Sequence, residues 1–513
     1  MTQVIFEVYN HNVSPLISKD DELKRLPPRP KHLQDSAYLD KFDSDTIFYD
    51  AYRSDNNVIL TGPPLRNLRG DVEDSLSKAV PPECAIEIME LDRVCHTCIT
   101  NADSIGNSLN LQLGNSVYNV DISESFTNEY EDKIVLFTKS KNNDLNWIRD
   151  WAQYYVRIHG VNAVLLYDNG STDYSVVEIS EALQIEGLDV ATVVEWPFKF
   201  GPQGGKWNGP EERPWDSDYC QYGIFEHARQ KYLKESYALI SHDIDELMVI
   251  EDNASLIDHL RKSDSDYISY TGVWIEAPLR RVSSSPSFID YGFINSHGNP
   301  TSAKWSALSQ NIRDAEQWKT HGVAGKSAEK LPMIRHRHFR GITTNWKWDR
   351  TRNADRLATD FALDRKMISL MEGAFSAPEG VEAHALDPKD DSARIRNYLE
   401  GLGLEINFLN WENSGFTRSW FWKQNIYVAE FESETVGPFA FEIRIANSRI
   451  SLVLVSRRTQ AAEAMAARLN AQYPKFGKSG RHYEIAWWRL HIDRCDIARM
   501  ASLAIERAVG ILT

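Results

Sequence analysis

The chain has 513 residues, of which 42% are hydrophobic, a length sufficient for about two to four domains with their own buried cores. Its formal net charge of −16 excludes a broad basic surface for phosphate backbones, so nucleic acid is not expected as a partner. No stretch reaches about 18 consecutive apolar residues, so no transmembrane segment is predicted.

The cysteines and the N-terminus both favour an intracellular protein. The 5 cysteines are too few and too scattered for a disulfide framework, which fits a reducing compartment. Residues 1–12 lack the basic start and the long apolar run of a secretory signal. We therefore expect a cytoplasmic protein, with peripheral association at the inner face of the membrane as an open alternative.

The first part of the chain is predicted to contain an irregular arm followed by a β-rich module. Residues 1–42 are rich in Pro, Lys and Asp and predict the arm. Residues 43–130 contain short runs typical of strands, two of which flank the turn Gly114-Asn115. The predicted strands are Asn57–Thr61, Ala85–Leu91, Leu109–Leu113 and Val117–Ile122.

Residues 131–375 change to alternating strands and helices. A helix from Leu145 to His159 has apolar residues at helical spacing and is followed by Gly160, a suitable C-terminal cap. This alternation predicts parallel βαβ units, whose ligands bind at the carboxyl ends of the strands. The other predicted elements are strands at Ile134–Thr138, Val161–Tyr167, Val190–Trp196, Tyr237–Ser241 and Tyr267–Trp274, and helices near Tyr174–Leu183, Tyr219–Leu233 and Arg356–Met371.

Two irregular stretches, a linker and a C-terminal module complete the organisation. Residues 201–215 are dense in Gly, Pro and Trp and are predicted to form a functional loop, and residues 284–330 form a second irregular stretch. Residues 376–423 are predicted to be a linker. Residues 424–513 are predicted to form an α+β module of unassigned role, with strands near Ile426–Phe431, Phe439–Ile445 and Ile450–Val455 and helices near Gln460–Leu469 and Ile497–Val509.

The motif Asp243-Ile244-Asp245 begins two residues after the end of the predicted strand Tyr237–Ser241. Two carboxylates separated by one residue at the end of a buried strand can both reach a hard divalent cation such as Mg²⁺ or Mn²⁺. Such a cation can bridge the phosphates of a nucleoside-diphosphate sugar and stabilise the leaving diphosphate. The alternative interpretation is an acidic turn after a strand.

A second acidic strand end lies about 75 residues earlier, at Asp168. Its carboxylate can accept hydrogen bonds from a base or a ribose, and Gly170 permits the tight turn behind it. Thr172 or Asp173 can cap the following helix. The simpler interpretation is a strand, turn and helix junction.

Residues 133–274 resemble glycosyltransferases of the GT-A fold, particularly the group around family 2 and family 92. The resemblance is carried by Trp147-Ile148 with Trp151, His159-Gly160, the run 167–173 and the run 243–247. It implies an α/β, Rossmann-like nucleotide-sugar transferase domain with a mixed, mostly parallel sheet, between the N-terminal β-rich module and the C-terminal α+β module. It also implies that Asp168, Asn169 and Asp173 bind the nucleoside of the donor, and that Asp243 and Asp245 hold the metal ion and the diphosphate.

The histidines of the run 335–341 are candidates for a further metal ligand. His336 and His338 are two residues apart, so on a strand they lie on one face and both can approach a single ion. A neutral imidazole is a suitable ligand for Mn²⁺, and we favour His338. The alternative is a basic surface strand that binds phosphates or an acidic acceptor.

Catalysis with inversion, which the resemblance favours, needs a carboxylate that takes the proton of the acceptor hydroxyl. Glu276 and Asp349 are the candidates, and their spacing does not decide between them. Lys206, in the loop 201–215, is a candidate for contact with the donor phosphates.

These features predict a transferase that moves a sugar from a nucleotide-sugar donor to a glycan acceptor, in the synthesis of a cell-surface or capsular polysaccharide. Mn²⁺ or Mg²⁺ is the expected cofactor. One alternative is a carbohydrate-binding or scaffolding protein on an inactive GT-A fold. A second alternative is a phosphatase that uses Asp-x-Asp as its nucleophile, although such a motif belongs on the first strand of its domain.

Overall fold

The computed structural model describes residues 7–202, 216–278, 286–295, 298–344 and 361–375 and the strands between Ile426 and Ile492. The chain forms two compact units. The first consists of Met1–Val273, Pro300–His338 and Gly373–Phe375, and the second of Trp274–Asn299, Phe339–Glu372 and Ser376–Thr513. Among the described residues, no helix combines the length and the apolar character needed to cross a bilayer.

The N-terminal elements form a four-stranded antiparallel sheet and a hairpin in the first unit. In chain order they are β1 (Glu7–Asn12), β2 (Leu16–Ile17), α1 (Tyr38–Lys41), β3 (Thr46–Phe48), β4 (Asp50–Ser54), β5 (Asn57–Gly62), α2 (Arg69–Ala79), β6 (Ala85–Glu90), β7 (Cys95–Thr100), β8 (Ser108–Leu113) and β9 (Ser116–Asp121). The sheet has the order β4-β5-β7-β6, and the predicted hairpin β8–β9 is confirmed, with Gly114 at φ +56° in its turn.

The next elements alternate as predicted and continue through the stretch that was expected to be irregular. They are β10 (Ile134–Ser140), α3 (Leu145–His159), β11 (Ala163–Asp168), α4 (Val176–Ala182), β12 (Val190–Glu195), α5 (Tyr219–Ala228), β13 (Ala238–Ser241), β14 (Glu246–Ile250), α6 (Leu256–Lys262), β15 (Tyr267–Tyr270), β16 (Gly272–Pro278), β17 (Tyr291–Asn295), β18 (Lys304–Leu308), α7 (Ser309–Ile312), β19 (Gln317–Lys319), β20 (Gly322–Ala324), β21 (Ala328–Lys330) and β22 (Ile334–Phe339).

An eight-stranded mixed sheet organises the first unit, in the order β1-β12-β11-β10-β13-β18-β15-β21. The pairs from β1 to β13 are parallel, whereas β18 runs antiparallel to both of its neighbours. The central strands are buried along their whole length, which explains why they consist of continuous apolar runs rather than alternating residues. The fold class is therefore α/β with a mixed, mostly parallel sheet.

The strand order reverses at β10, in the middle of the large sheet. The chain runs from β10 to β11 and β12 on one side and returns to place β13 on the other side of β10. In open α/β sheets, such a reversal leaves a crevice beyond the carboxyl ends of the two strands at which ligands bind. The loops after β10, β11 and β13 therefore lie around one candidate site.

Strand β1 differs from the predicted irregular arm of residues 1–42. It pairs in parallel with β12, from Glu7 opposite Val190 to Asn12 opposite Glu195, and so closes one edge of the large sheet. No residue of β1 is fully buried, which suits a strand at the edge of a sheet.

The second unit contains antiparallel strands. Strand β17 pairs with β16 and with β23 (Phe361–Leu363), and α8 (Arg365–Phe375) follows. A separate sheet, in the order β24-β25-β26-β28-β27, confirms the three predicted C-terminal strands and adds two. Its strands are β24 (Ile426–Ser433), β25 (Gly437–Ala446), β26 (Arg449–Arg457), β27 (Gly477–His482) and β28 (Ile485–Ile492). The linker 376–423 and the two predicted C-terminal helices lie outside the described residues.

A buried ion cluster connects the N-terminal sheet to the helix that precedes β13. Asp50 at the start of β4 accepts hydrogen bonds from His227 Nε2 at 2.9 Å and from Lys231 Nζ at 2.6 Å. All three side chains are almost inaccessible to solvent. Burial alone would raise the pKa of Asp50, but Lys231 and His227 lower it to about 2.

We predict that Asp50→Ala lowers the free energy of unfolding by about 3–5 kcal/mol, because it leaves a buried ammonium group without its partner. Denaturant unfolding followed by circular dichroism measures the loss. The matched control is Asp74→Ala, which breaks an exposed pair with Lys78 within α2 and should cost less than about 1 kcal/mol. Equal stability of the two variants would contradict the prediction.

Candidate functional site

The carboxyl edge of the large sheet brings the two predicted acidic strand ends to neighbouring positions. Ser140 at the end of β10 lies opposite Asp168 at the end of β11. On the other side of β10, Phe137 lies opposite Ser241, two residues before Asp243. With about 4.8 Å between paired strands, β11 and β13 are roughly 10 Å apart. Both acidic strand ends therefore open onto the same edge.

Asp168 is buried and its carboxylate orders the turn that follows β11. Oδ1 accepts from Ser171 Oγ at 2.5 Å, and Oδ2 accepts from the backbone N–H of Ser171 at 3.1 Å. Gly170 has φ +69°, so the turn uses the left-handed region that glycine tolerates without strain.

Asn169 and Asp173, which were predicted to bind the nucleoside together with Asp168, have different surroundings in the structure. Asn169 is buried, and its amide nitrogen donates to the carbonyls of Trp196 and Phe198, both at 2.8 Å. This side chain therefore holds the backbone after β12. Asp173 is exposed, and it does not cap the next helix as predicted, because Ser175 is the N-cap of α4 and forms a capping box with Glu178.

Asp243 is held between two lysine ammonium groups. Lys139 of β10 contacts Oδ1 at 3.0 Å, and Lys304 of β18 contacts Oδ2 at 2.5 Å. Burial alone would raise the pKa of Asp243, but these two ammonium groups outweigh it and hold the pKa well below its ordinary value. Asp243 therefore remains ionised, and the 37% exposure of its side chain also favours the charged form.

Glu246, which sequence analysis missed, is the third carboxylate of the site. Its Oε2 lies 2.8 Å from Lys304 Nζ and accepts from the backbone N–H of Asp243 at 3.1 Å. The side chain is almost fully buried, and this burial raises the pKa of Glu246, with Asp243 and Asp245 adding to the effect and Lys304 opposing it. The only sequence signal for Glu246 was its position directly after Asp245, the second carboxylate of the motif.

Strand β22 supplies the two predicted histidines to the same site. Its register with β14 sets His338 opposite Glu246 and His336 opposite Met248. His338 Nε2 lies 2.9 Å from Asp245 Oδ2, and its Nδ1 lies 3.4 Å from Glu246 Oε1. The strand is buried, so the predicted alternative of a basic surface strand is wrong.

His336 is more deeply buried than His338. Its Nε2 lies 2.6 Å from Thr301 Oγ1 and 3.6 Å from Glu246 Oε1. Its Nδ1 has no hydrogen-bond partner in the part of the chain that the structure describes. Burial lowers the pKa of His336 well below its ordinary value, so the ring is neutral. Gly272 permits this close packing, because a Cβ at that position would lie 2.4 Å from the His336 ring.

The side chains around Glu246 form two overlapping sets with the composition of metal ligands. Asp243, Asp245 and Glu246 offer carboxylate oxygens within 4.8 Å of one another, and Glu246, His336 and His338 offer one oxygen and two nitrogens within the same distance. The first set suits Mg²⁺ or Mn²⁺, whereas the second suits the borderline transition metals. The two lysines compete with any cation for Asp243.

Of the remaining candidates, one belongs to the second unit and two fall outside the described residues. Glu276 belongs to the second unit, where Arg340 Nε and Nη2 both contact its carboxylate and the guanidinium lies 4.1 Å from the centre of the Trp274 ring. Lys206 and Asp349 fall outside the described residues.

Comparisons with known proteins give only low-level similarities. No protein-family model matches the sequence, and no curated protein matches it. A crystal structure of S. aureus TarS 1-349 aligns with 13% identity and a TM-score of 0.24, over 53% of this chain and 79% of that chain. A crystal structure of S. aureus TarS aligns with 11% identity and a TM-score of 0.25, over 72% of this chain and 73% of that chain. Similarity of this size carries no argument about function.

We predict that Lys304→Met lowers the free energy of unfolding by about 3 kcal/mol near pH 8, because Asp243 and Glu246 then repel each other without the buried ammonium between them. The loss should shrink as the pH falls toward the raised pKa of Glu246, since protonation of that carboxyl removes the repulsion. Denaturant unfolding at several pH values measures it.

Lys234→Met, which removes a more exposed partner of Asp55, is the matched control and should cost less than about 1 kcal/mol at every pH. A Lys304→Met protein as stable as the wild type would show that the carboxylates need no such compensation.

Proposed function

We propose that the chain is a metal-dependent glycosyltransferase that moves a sugar from a nucleoside-diphosphate sugar to an acceptor hydroxyl. The observation that carries the proposal is the convergence of Asp168 and the cluster of Asp243, Asp245 and Glu246 on one edge of the sheet, on either side of β10. The two strand ends, with β10 between them, offer separate recognition points for a nucleoside and its diphosphate. The reversal of strand order at β10 supplies the crevice between them.

The nucleoside end of the donor is assigned to Asp168. Its buried carboxylate is already fixed by two hydrogen bonds from Ser171, so it is oriented before a ligand arrives. A carboxylate has about four acceptor positions, so it can also accept from a ribose hydroxyl or a base N–H. Asp173 is exposed and lies five residues after Asp168 in the chain. It remains a second candidate for contact with the nucleoside. Asn169 is assigned a structural role, because its amide group holds the loop after β12.

The donor atoms at the diphosphate end fit a divalent cation. Glu246 Oε1 lies 3.4 Å from His338 Nδ1 and 3.6 Å from His336 Nε2, so one carboxylate oxygen and two imidazole nitrogens are grouped as the ligands of a cation would be. We assign the ion to Asp243, Asp245 and Glu246, with His338 as the favoured histidine ligand. When bound, Mn²⁺ or Mg²⁺ supplies electrostatic stabilisation of the leaving diphosphate.

The residues of the chain have separate tasks in this reaction. Lys139 and Lys304 keep Asp243 ionised and fixed, so that its carboxylate needs little reorganisation. Asp245 orients His338 through the hydrogen bond to Nε2. Glu276 and Asp349 remain the candidates from the sequence for the general base of transfer with inversion, and the acceptor is a glycan hydroxyl. The product is assigned to a cell-surface or capsular polysaccharide made in the cytoplasm.

Isothermal titration tests the metal assignment directly. Wild-type protein should bind UDP or GDP at least about tenfold more tightly with Mn²⁺ than without it, and Asp245→Asn should remove this difference. Asp252→Asn, an acidic residue just after β14 and outside the cluster, should behave like the wild type. Equal metal dependence of Asp245→Asn and wild type would refute the metal assignment.

The general base is identified by its effect on kcat. Of the variants Glu276→Gln and Asp349→Asn, the one that removes the base should lower kcat for transfer or donor hydrolysis by about 10²–10⁴-fold and leave Mn²⁺·UDP binding unchanged. The other should keep its kcat within a small factor. Near wild-type kcat in both variants would exclude both residues.

A further inference from the structure

The hydroxyl of Tyr155, in the middle of α3, connects three points of the segment that carries the acidic cluster. It lies 2.7 Å from His242 Nδ1, 3.1 Å from the carbonyl of Glu246 and 3.0 Å from the backbone N–H of Met248. The side chain is fully buried. None of its three contacts is with a carboxylate of the cluster.

The protons of this group can be assigned from the donors and acceptors available. A phenol has one hydrogen to donate and two lone pairs to accept. The Glu246 carbonyl can only accept, so it receives the Tyr155 proton, and the Met248 N–H can only donate. The second lone pair therefore accepts from His242 Nδ1–H, and the hydroxyl is fully satisfied.

This assignment fixes the state of His242 as well. Its Nε2 must accept, and Tyr270 lies 2.9 Å away and can donate its hydroxyl hydrogen. Tyr270 in turn lies 2.8 Å from Ser306 Oγ, which supplies a donor for it. Burial holds the pKa of His242 well below its ordinary value and raises the pKa of Tyr155, which agrees with one neutral tautomer and a protonated phenol.

The contacts of Tyr155 span both ends of the loop from His242 to Met248. Asp243, Asp245 and Glu246 lie between these ends, and β14 has β22 on one side and side chains of α3 on the other. The carboxylates of this loop repel one another, and the lysines that contact Asp243 and Glu246 oppose that repulsion. The hydrogen bonds of the Tyr155 hydroxyl join uncharged groups. They therefore hold the backbone of this loop whether or not the carboxylates are neutralised.

We propose that Tyr155 is a positioning residue that fixes the backbone of the acidic loop in the geometry needed for metal and diphosphate binding. This inference rests on the glycosyltransferase function proposed above. Tyr155 acts through His242, Glu246 and Met248 and does not touch the substrate. The support of this backbone comes from the hydrogen bonds of the phenol hydroxyl and not from the packing of the ring.

The adjacent residue on the same helix offers a matched control. Tyr154 is also fully buried, and its hydroxyl donates to the carbonyl of Met248 at 2.6 Å. His159 Nε2 lies 3.0 Å from the same carbonyl, so Tyr154→Phe leaves that oxygen with a partner. This variant removes a buried hydroxyl from the same helix without releasing residues 242–246.

Titration of Mn²⁺ and of UDP with Mn²⁺ into Tyr155→Phe, Tyr154→Phe and wild type tests the proposal, with thermal unfolding recorded for each. Tyr155→Phe should weaken Mn²⁺·UDP binding by about 10–100-fold, as expected when the support of a metal ligand is lost. Tyr154→Phe should stay within about threefold of wild type, although both variants lose thermal stability. A purely structural role would lower the stability of both variants and leave both affinities alike.

The outcomes separate this inference from the function on which it rests. Wild-type affinity in a folded Tyr155→Phe protein, or an equal loss in both variants, would overturn the positioning role and leave the transferase proposal standing. A wild-type protein that binds neither Mn²⁺ nor UDP would overturn both. Should Tyr155→Phe fail to fold, Tyr270→Phe removes the donor to His242 Nε2 and should weaken Mn²⁺·UDP binding in the same direction, and unchanged affinity would refute the proposal.

Discussion

Compensation of negative charge is the constraint on which the candidate site depends. Asp243, Asp245 and Glu246 bring carboxylate oxygens within 4.8 Å of one another at a partly buried strand end, where like charges repel strongly. Lys304 makes the cluster possible because its nearly inaccessible ammonium contacts two of the three carboxylates. Lys139 adds a second positive charge from β10. The site thus sets two ammonium groups against three carboxylates and fixes them on buried strands.

The large sheet and its acidic edge could be predicted because their signals are local. The central strands are continuous apolar runs, and α3 ends at Gly160, which adopts φ +68° as expected for a C-terminal cap. Asp168 and Asp243 could be identified because each lies within two residues of the end of such a run. Parallel pairing of neighbouring strands then brings their carboxyl ends to one edge without any further information.

The support of the site could not be predicted, because it depends on pairing between distant segments. Lys304 lies in a stretch without strand periodicity, and β18 exists because β13 and β15 offer it partners on both sides. The role of Glu246 follows from the β14–β22 register, which sets it opposite His338. Tyr155 occupies an ordinary apolar position of an amphipathic helix, and only the fold reveals what its hydroxyl contacts.

The pairing of β1 with β12 has a consequence for the order in which the chain can assemble. Glu7 is synthesised 183 residues before its partner Val190, which at about 5–20 residues per second leaves the segment without its strand for roughly 10–40 s. Its sequence suits this delay, because Glu7–Asn12 is polar enough to stay hydrated rather than adhere to other nascent chains. Strand β1 can therefore join this side of the sheet only after β12 has been synthesised.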